Sequence, residues 1–245
     1  MTAAVVLVHG AWHGAWCFEP VLERLAGTGV EAFAVDLPGH GADRGPLGDL
    51  HADAARVREV LDGIDRDCVL LGHSYGGAVI TEAGIHPAVR HLVYLAAFAL
   101  DAGESCMAAA IAESQAMQLA YDGPNLADAF VPHEDGTITV EPGGAVELLF
   151  QDCDPATAAW AVDRLGPQPS VTLGDVPTAV AWRERPSTYV VCTEDRGVHP
   201  DLQRALARRC DEQVEWPTSH SPFLSAPDRV ADLVAGIARS LLPRG

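Results

Sequence analysis

Continuous apolar runs alternate with amphipathic stretches over the first hundred residues. Ala4–Val8 is a short unbroken apolar run, the pattern of a strand buried on both faces. Cys17–Ala26 puts Val21, Leu22 and Leu25 on one helical face, and Gly27 and Gly29 end it. Glu31–Val35 reads as a second strand. His51–Asp62 reads as a helix that packs through Ala54, Ala55, Val57, Val60 and Leu61. Cys68–Leu71 is a buried strand that runs through a tight turn into a helix reaching about Ile85, where His86-Pro87 stops it. Val89–Ala97 is a fourth strand. Strands and helices in strict alternation predict a mostly parallel sheet, with helices on both faces and right-handed crossovers.

The rhythm changes from Gly103 to Arg185, where no strong buried strand appears. Short helices are expected near Met107–Leu119 and Pro155–Leu165, and a small ribbon near Thr137–Val140. So long an excursion inside a compact domain is usually functional. It is read as a helical cap, residues 103–185, inserted after the fourth strand into a core of residues 1–102 and 186–245. Its bulky apolar residues Met117, Leu119, Phe130, Leu149, Phe150, Trp160 and Trp182 are expected to roof an apolar pocket, a minority of them touching substrate. The pattern then resumes with a strand at Ser187–Thr193, a helix at Pro200–Arg209, a strand at Gln213–Trp216 and a closing helix at Asp228–Leu241.

The candidate chemistry sits at strand ends. Gly72-His73-Ser74-Tyr75-Gly76 fits G-x-S-x-G, a serine on a sharp strand-to-helix turn whose neighbours two residues away must lack bulk. Asp195 follows the strand ending at Thr193, and His220 follows the last strand. The three can therefore converge at one sheet edge, with Ser74 as nucleophile, His220 as general base and acid, and Asp195 orienting the imidazole. Glu194 and Asp101 remain alternatives for the acid. His9-Gly10-Ala11-Trp12-His13-Gly14 follows the first strand, where glycines let backbone approach a ligand. The Ala11 N–H, with the Tyr75 N–H, is the expected oxyanion donor pair. His13 is expected to order this loop by hydrogen bonding, and Trp16 and Phe18 to belong to the core. Trp12, Phe130, Trp160 and Ser221 are the expected substrate contacts.

Together, Val6–Trp16, the Gly72–Gly77 turn, Leu95-Ala96-Ala97-Phe98 and Val191–Gly197 resemble the α/β-hydrolase group that contains plant methylesterases, salicylate-binding esterases and hydroxynitrile lyases. The resemblance runs along nearly the whole chain. It implies an α/β-hydrolase fold with a mobile cap, small carbonyl substrates, and Asp195 rather than Glu194 as the acid. In the lyases a threonine follows the first loop histidine and a lysine follows the catalytic histidine. Here those positions are Gly10 and Ser221. Ester hydrolysis through an acyl-serine, without metal or cofactor, is therefore expected ahead of lyase chemistry or a ligand-binding receptor.

Charge and cysteine content narrow the setting. Sixteen basic against thirty-four acidic residues give a net charge of −18, which argues against nucleic acid and anionic membranes as partners. The six cysteines form no C-x-x-C pair and no zinc-like spacing, which suggests free thiols in a reducing compartment. No signal peptide or bilayer-length apolar run is evident. A cytoplasmic location is expected, in a bacterial cell from the Ala-, Arg-, Asp- and Gly-rich, lysine-free composition. The partner would be a small ester or carbonyl compound, with a homodimer left open.

Overall fold

The strand at the centre is the one the serine turn grows from. In the computed structural model, which describes residues 2–117 and 125–241, β1 (Ala4–Val8), β2 (Ala32–Val35), β3 (Cys68–His73) and β4 (Val89–Leu95) form the first half of a sheet. That sheet has six parallel strands in the order β2-β1-β3-β4-β8-β9, completed by β8 (Ser187–Cys192) and β9 (Glu212–Trp216). β1 and β3 are buried along their whole length, so their continuous Val and Leu runs read directly as strands with both faces covered. The chain winds outward from β1 in one direction and from β3 in the other. The crevice beyond their carboxyl ends is where such a sheet leaves room for a ligand.

Helices α1 (Glu19–Leu25), α2 (Leu50–Asp62) and α3 (Gly76–Ala83) link the first strands. Asp49 caps α2 by accepting from the Ala52 N–H at 2.8 Å. Every residue of α3 is buried, because it runs beneath α2 and against the sheet. The Cys17–Ala26 helix begins as a 3-10 turn at Ala15–Phe18, since Pro20 lacks the N–H of a preceding helical turn and sits in the first turn of α1 instead.

Residues 103–185 leave the sheet and return to it. They carry α4 (Cys106–Met117), α5 (Pro142–Leu149), α6 (Pro155–Val162) and the one-turn α7 (Val171–Gly174). They also carry an antiparallel sheet of β5 (Phe130–Pro132), β6 (Thr137–Val140) and β7 (Gln168–Pro169). The segment is thus more than helical. The alternating Thr137-Ile138-Thr139-Val140 ribbon finds partners on both sides, with Gly136 at φ +82° making the turn into it. Leu119 lies outside the described residues, as does the side chain of Met117. The returning end of the excursion is tied to the body. Trp182 Nε1–H donates to the Leu100 carbonyl at 2.8 Å, and Arg183 pairs with Asp101 at 2.5 Å. Glu82 on α3 accepts from the Thr178 and Ala179 N–H groups at 2.6 and 3.0 Å. Trp182 thus anchors the segment to the body rather than forming a roof. α8 (Pro200–Ala207), α9 (Pro222–Ser225) and α10 (Pro227–Ser240) finish the chain. Among the described residues, no helix is long and apolar enough to cross a membrane.

Candidate active site

The turn after β3 needs both of its glycines. A Cβ on Gly72 would lie 2.3 Å from the Gly76 carbonyl oxygen, and one on Gly76 would lie 2.6 Å from the Val8 and His9 carbonyls. Between them Ser74 adopts φ +52°, a left-handed conformation costing about 1–2 kcal/mol for a residue with a Cβ. Backbone bonds on both sides hold it there. The Ser74 N–H donates to Leu95 O at 3.2 Å, and its carbonyl accepts from Gly77 N–H at 2.9 Å and Phe98 N–H at 3.1 Å.

Asp195 and His220 meet at 2.7 Å, Oδ2 to Nδ1, both side chains almost completely buried. A buried carboxylate must be hydrogen-bonded all round. Here Oδ1 accepts from the Gly197 and Val198 N–H groups at 2.7 and 2.9 Å, and Oδ2 also accepts from Gln203 Nε2 at 2.7 Å. Facing that carboxylate, Nδ1 of His220 carries the proton, which leaves Nε2 as the basic nitrogen. The other acids are occupied elsewhere. Glu194 is exposed and Asp101 pairs with Arg183. The His220 loop is fastened from outside by Asp152, which accepts from Ser219 Oγ, from Ser219 N–H at 2.8 Å and from Ser225 Oγ at 2.9 Å. His73, the residue before the serine, donates from Nε2 to the His220 carbonyl at 2.9 Å, with the two rings 4.6 Å apart.

The loop after β1 closes on this corner. A Cβ on Gly10 would sit 2.8 Å from His73 Nδ1 and 2.9 Å from Ser74 Cβ. The Leu37 N–H donates to His9 Nε2 at 3.2 Å, so the His9 proton is on Nδ1 and points to the Gly10 carbonyl at 2.8 Å. His13 N–H adds a second bond to that carbonyl at 3.3 Å, and His13 Nδ1 donates to Ala11 O at 2.8 Å. The Gly10–Ala11 peptide is polarised from its carbonyl side, which strengthens its N–H as a donor. Among the described residues no acceptor meets the N–H of Ala11 or of Tyr75.

Burial keeps the surrounding imidazoles neutral. It pushes His9 and His73 well below the ordinary histidine value and His13 down to about 4. Burial acts oppositely on Asp53 of α2, raised to about 7, although Tyr75 Oη donates to its Oδ2 at 2.6 Å. Asp53 thus braces the side chain of the residue after the serine. Its second oxygen, Oδ1, is buried without a partner.

The expected substrate contacts divide. Trp12, at φ +67°, packs against Phe130 with ring centres 5.3 Å apart and the rings tilted by 55°, and is tied by Nε1–H to Ile138 O at 3.0 Å. Ser221 is buried beside His220, with a hydroxyl that finds no partner. Trp160 instead packs on Trp16 at 5.2 Å and under the Arg164 guanidinium at 4.4 Å, at the outer end of the aromatic row Trp160, Trp16, His13. Phe150 lies 5.7 Å from the His13 ring, and Leu149 lies 3.1 Å from where a Cβ on Gly197 would be. Nothing in the sequence pattern marks Gln203, Asp152, Asp53 or Gln168 as part of the site. The only available signal was a polar residue on the inward face of a short helix, as with Gln203 at the position of a core residue in α8. Among the described residues no group of three His, Cys, Asp or Glu side chains is arranged to hold a metal ion.

The alpha/beta hydrolase family model matches residues 5–233, and the chain belongs to that family. An alpha/beta hydrolase, nvfD, of Aspergillus novofumigatus is 31% identical over 252 residues, covering 96% of each chain. Methylesterase 9 of Arabidopsis thaliana is 27% identical over 252 residues, covering 95% of this chain and 97% of its own. The crystal structure of a pyrethroid hydrolase from Sphingobium faniae JZ-2 superposes with a TM-score of 0.82 at 25% identity, covering 98% of both chains. The expected likeness to the plant methylesterase group is therefore found, on the expected fold.

Proposed function

We propose that the protein hydrolyses small carboxylic esters through an acyl-serine intermediate. The observation that carries this is the buried Asp195–His220 pair at 2.7 Å, fastened through His73 to the strained turn that presents Ser74. His220 Nε2 takes the proton of Ser74 Oγ as Oγ attacks the ester carbonyl. The Ala11 and Tyr75 N–H groups, which meet no acceptor among the described residues, stabilise the oxyanion. His220 then gives the proton to the departing alcohol, and a water attacks the acyl-serine by the same route in reverse. Asp195 keeps the tautomer and stabilises the imidazolium throughout.

Residues 103–185 act in this reading as the cap. Phe130, Leu149 and Phe150 form its substrate side together with Trp12 and Ser221, while Trp160 supports them from behind. The esterase and hydrolase names of the relatives support the reaction class. Gly10 favours hydrolysis over cyanohydrin cleavage, since any side chain there would press on Ser74 and His73. The test is a chain-length series of p-nitrophenyl esters with wild type and Ser74→Ala. Turnover with a length optimum, lost in the variant, is expected. Equal rates for the two proteins would refute the serine mechanism.

A further inference from the structure

The N–H of Trp12 is not free. It donates to Gln168 Oε1 at 3.2 Å, across 156 residues of chain, from the oxyanion loop to strand β7. The orientation of that amide follows from its neighbours. A peptide N–H can only donate, so the oxygen must face Trp12. Thr172 Oγ1 gives its proton to Pro169 O at 2.7 Å, so its lone pair accepts from Gln168 Nε2 at 2.8 Å. His40 Nε2 lies 3.0 Å from the same Gln168 oxygen, and Gln168 itself is 1% exposed.

The consequence falls on one peptide. The Ala11–Trp12 unit has its carbonyl held by His13 Nδ1–H at 2.8 Å and its N–H held by Gln168. The next carbonyl, that of Trp12, accepts from the Gly166 N–H at 2.8 Å, and the indole reaches Ile138 O at 3.0 Å. Three of these four bonds come from residues 138–168. Trp12 stays in its left-handed conformation because the small sheet grips it from both sides. Turning the Ala11–Trp12 peptide would move Ala11 itself, and with it the neighbouring N–H that faces the oxyanion.

We propose that Gln168 is a positioning residue for the oxyanion loop, so that docking of the β5–β7 sheet onto Trp12 completes the oxyanion site. This rests on the hydrolase reading above. Gln168 does not touch the reacting atoms. It acts by fixing the Ala11–Trp12 peptide, and by taking the Trp12 N–H out of competition for the substrate oxygen.

The test compares Gln168→Leu, which removes the acceptor, with Gln168→Glu, which keeps an oxygen toward Trp12. p-Nitrophenyl butyrate is the substrate and an alkylboronic acid the tetrahedral analogue. Gln168→Leu should lower kcat about tenfold to a hundredfold, with KM within about threefold because ground-state binding makes little use of the oxyanion donors. Boronate affinity should fall by the same factor as kcat/KM, and Gln168→Glu should recover most of both. Thr172→Val, a milder change that frees the amide, should move the same way by less. Equal boronate affinity in wild type and Gln168→Leu, or equal losses in the Leu and Glu variants, would overturn the proposal. Amide hydrogen exchange separates it from the hydrolase reading. The Trp12 N–H should be protected in wild type and Gln168→Glu, and exposed in Gln168→Leu, even if the wild type proves inactive on esters. Equal protection in all three would refute the clamp.

Discussion

His73 Nε2 donates to the carbonyl oxygen of His220 at 2.9 Å, so the residue before Ser74 holds the backbone of His220. The bond is buried, and its ring also packs on Phe223 at 4.7 Å. Sequence distance between the two histidines is 147 residues, yet any drift of one is transmitted to the other. His73→Phe keeps the ring and leaves the carbonyl without a donor. It should cost about 1–3 kcal/mol of stability, read by urea denaturation. It should also remove part of the roughly 10²–10⁴-fold contribution of a positioned base to kcat. A variant as active as wild type would show that the His220 loop holds itself.

Gln203 closes the carboxylate shell of Asp195. Its amide also bonds Val198 O at 2.7 Å and the Cys192 N–H at 2.9 Å, joining α8 to the end of β8. Gln203→Leu leaves the buried Cys192 N–H without its acceptor and takes one of two donors from Asp195 Oδ2, which keeps His220 Nδ1. Loss of about 2–4 kcal/mol is expected from the unmet groups, with a fall in kcat larger than that of KM. Unchanged stability would mean that water replaces the amide.

The buried titratable groups set how stability follows pH. His9, His13 and His73 stay neutral in the fold, with His13 near 4 against an ordinary value of 6.5. Below that ordinary value the unfolded chain binds protons that the folded one refuses, so stability is lost as pH falls. Asp53 works the other way. Raised from 3.8 to about 7, it holds a proton in the fold that the unfolded chain releases, and its contribution is lost as pH rises toward 7. Three histidines against one carboxyl make stability fall on acidification around pH 5.5. Asp53→Asn removes the opposing contribution. Relative to wild type it should gain about 3 kcal/mol between pH 5 and pH 8. Parallel stability curves for the two proteins would refute a protonated Asp53.

Gly10 tests how closely the loop after β1 abuts Ser74. The Cβ of Gly10→Ala would lie 2.9 Å from Ser74 Cβ, inside any real carbon–carbon contact. A shift of several tenths of an ångström must follow. Displacements on the scale of an ångström at a reacting centre cost about a hundredfold in rate. kcat should therefore fall much more than the melting temperature. A fully active Gly10→Ala would place the loop farther from the serine.

The sequence made the parallel sheet and the Ser74, Asp195 and His220 strand-end positions legible, because each depends on local pattern. Ala4–Val8 and Cys68–Leu71 announce themselves as doubly buried strands, and Gly72 and Gly76 announce the turn. The supports were hidden because each is a single polar residue acting over long sequence distances. Gln168 reaches Trp12, Asp152 reaches Ser219, and Asp53 reaches Tyr75, and nothing in their neighbourhoods marks them. The small β5–β7 sheet was only partly legible. β7 is two residues long and contains a proline, so its pairing comes from tertiary contact rather than from propensity.

Acylation of Ser74 is the step on which the proposed hydrolysis stands. The most direct measurement is intact-protein and peptide mass spectrometry after quenching with acid during turnover of p-nitrophenyl acetate, with wild type, His220→Ala and Ser74→Ala compared. One acetyl group is expected on the peptide containing Ser74 in wild type, far slower labelling in His220→Ala, and none in Ser74→Ala. Labelling of another residue, or turnover with Ser74 never modified, would contradict it.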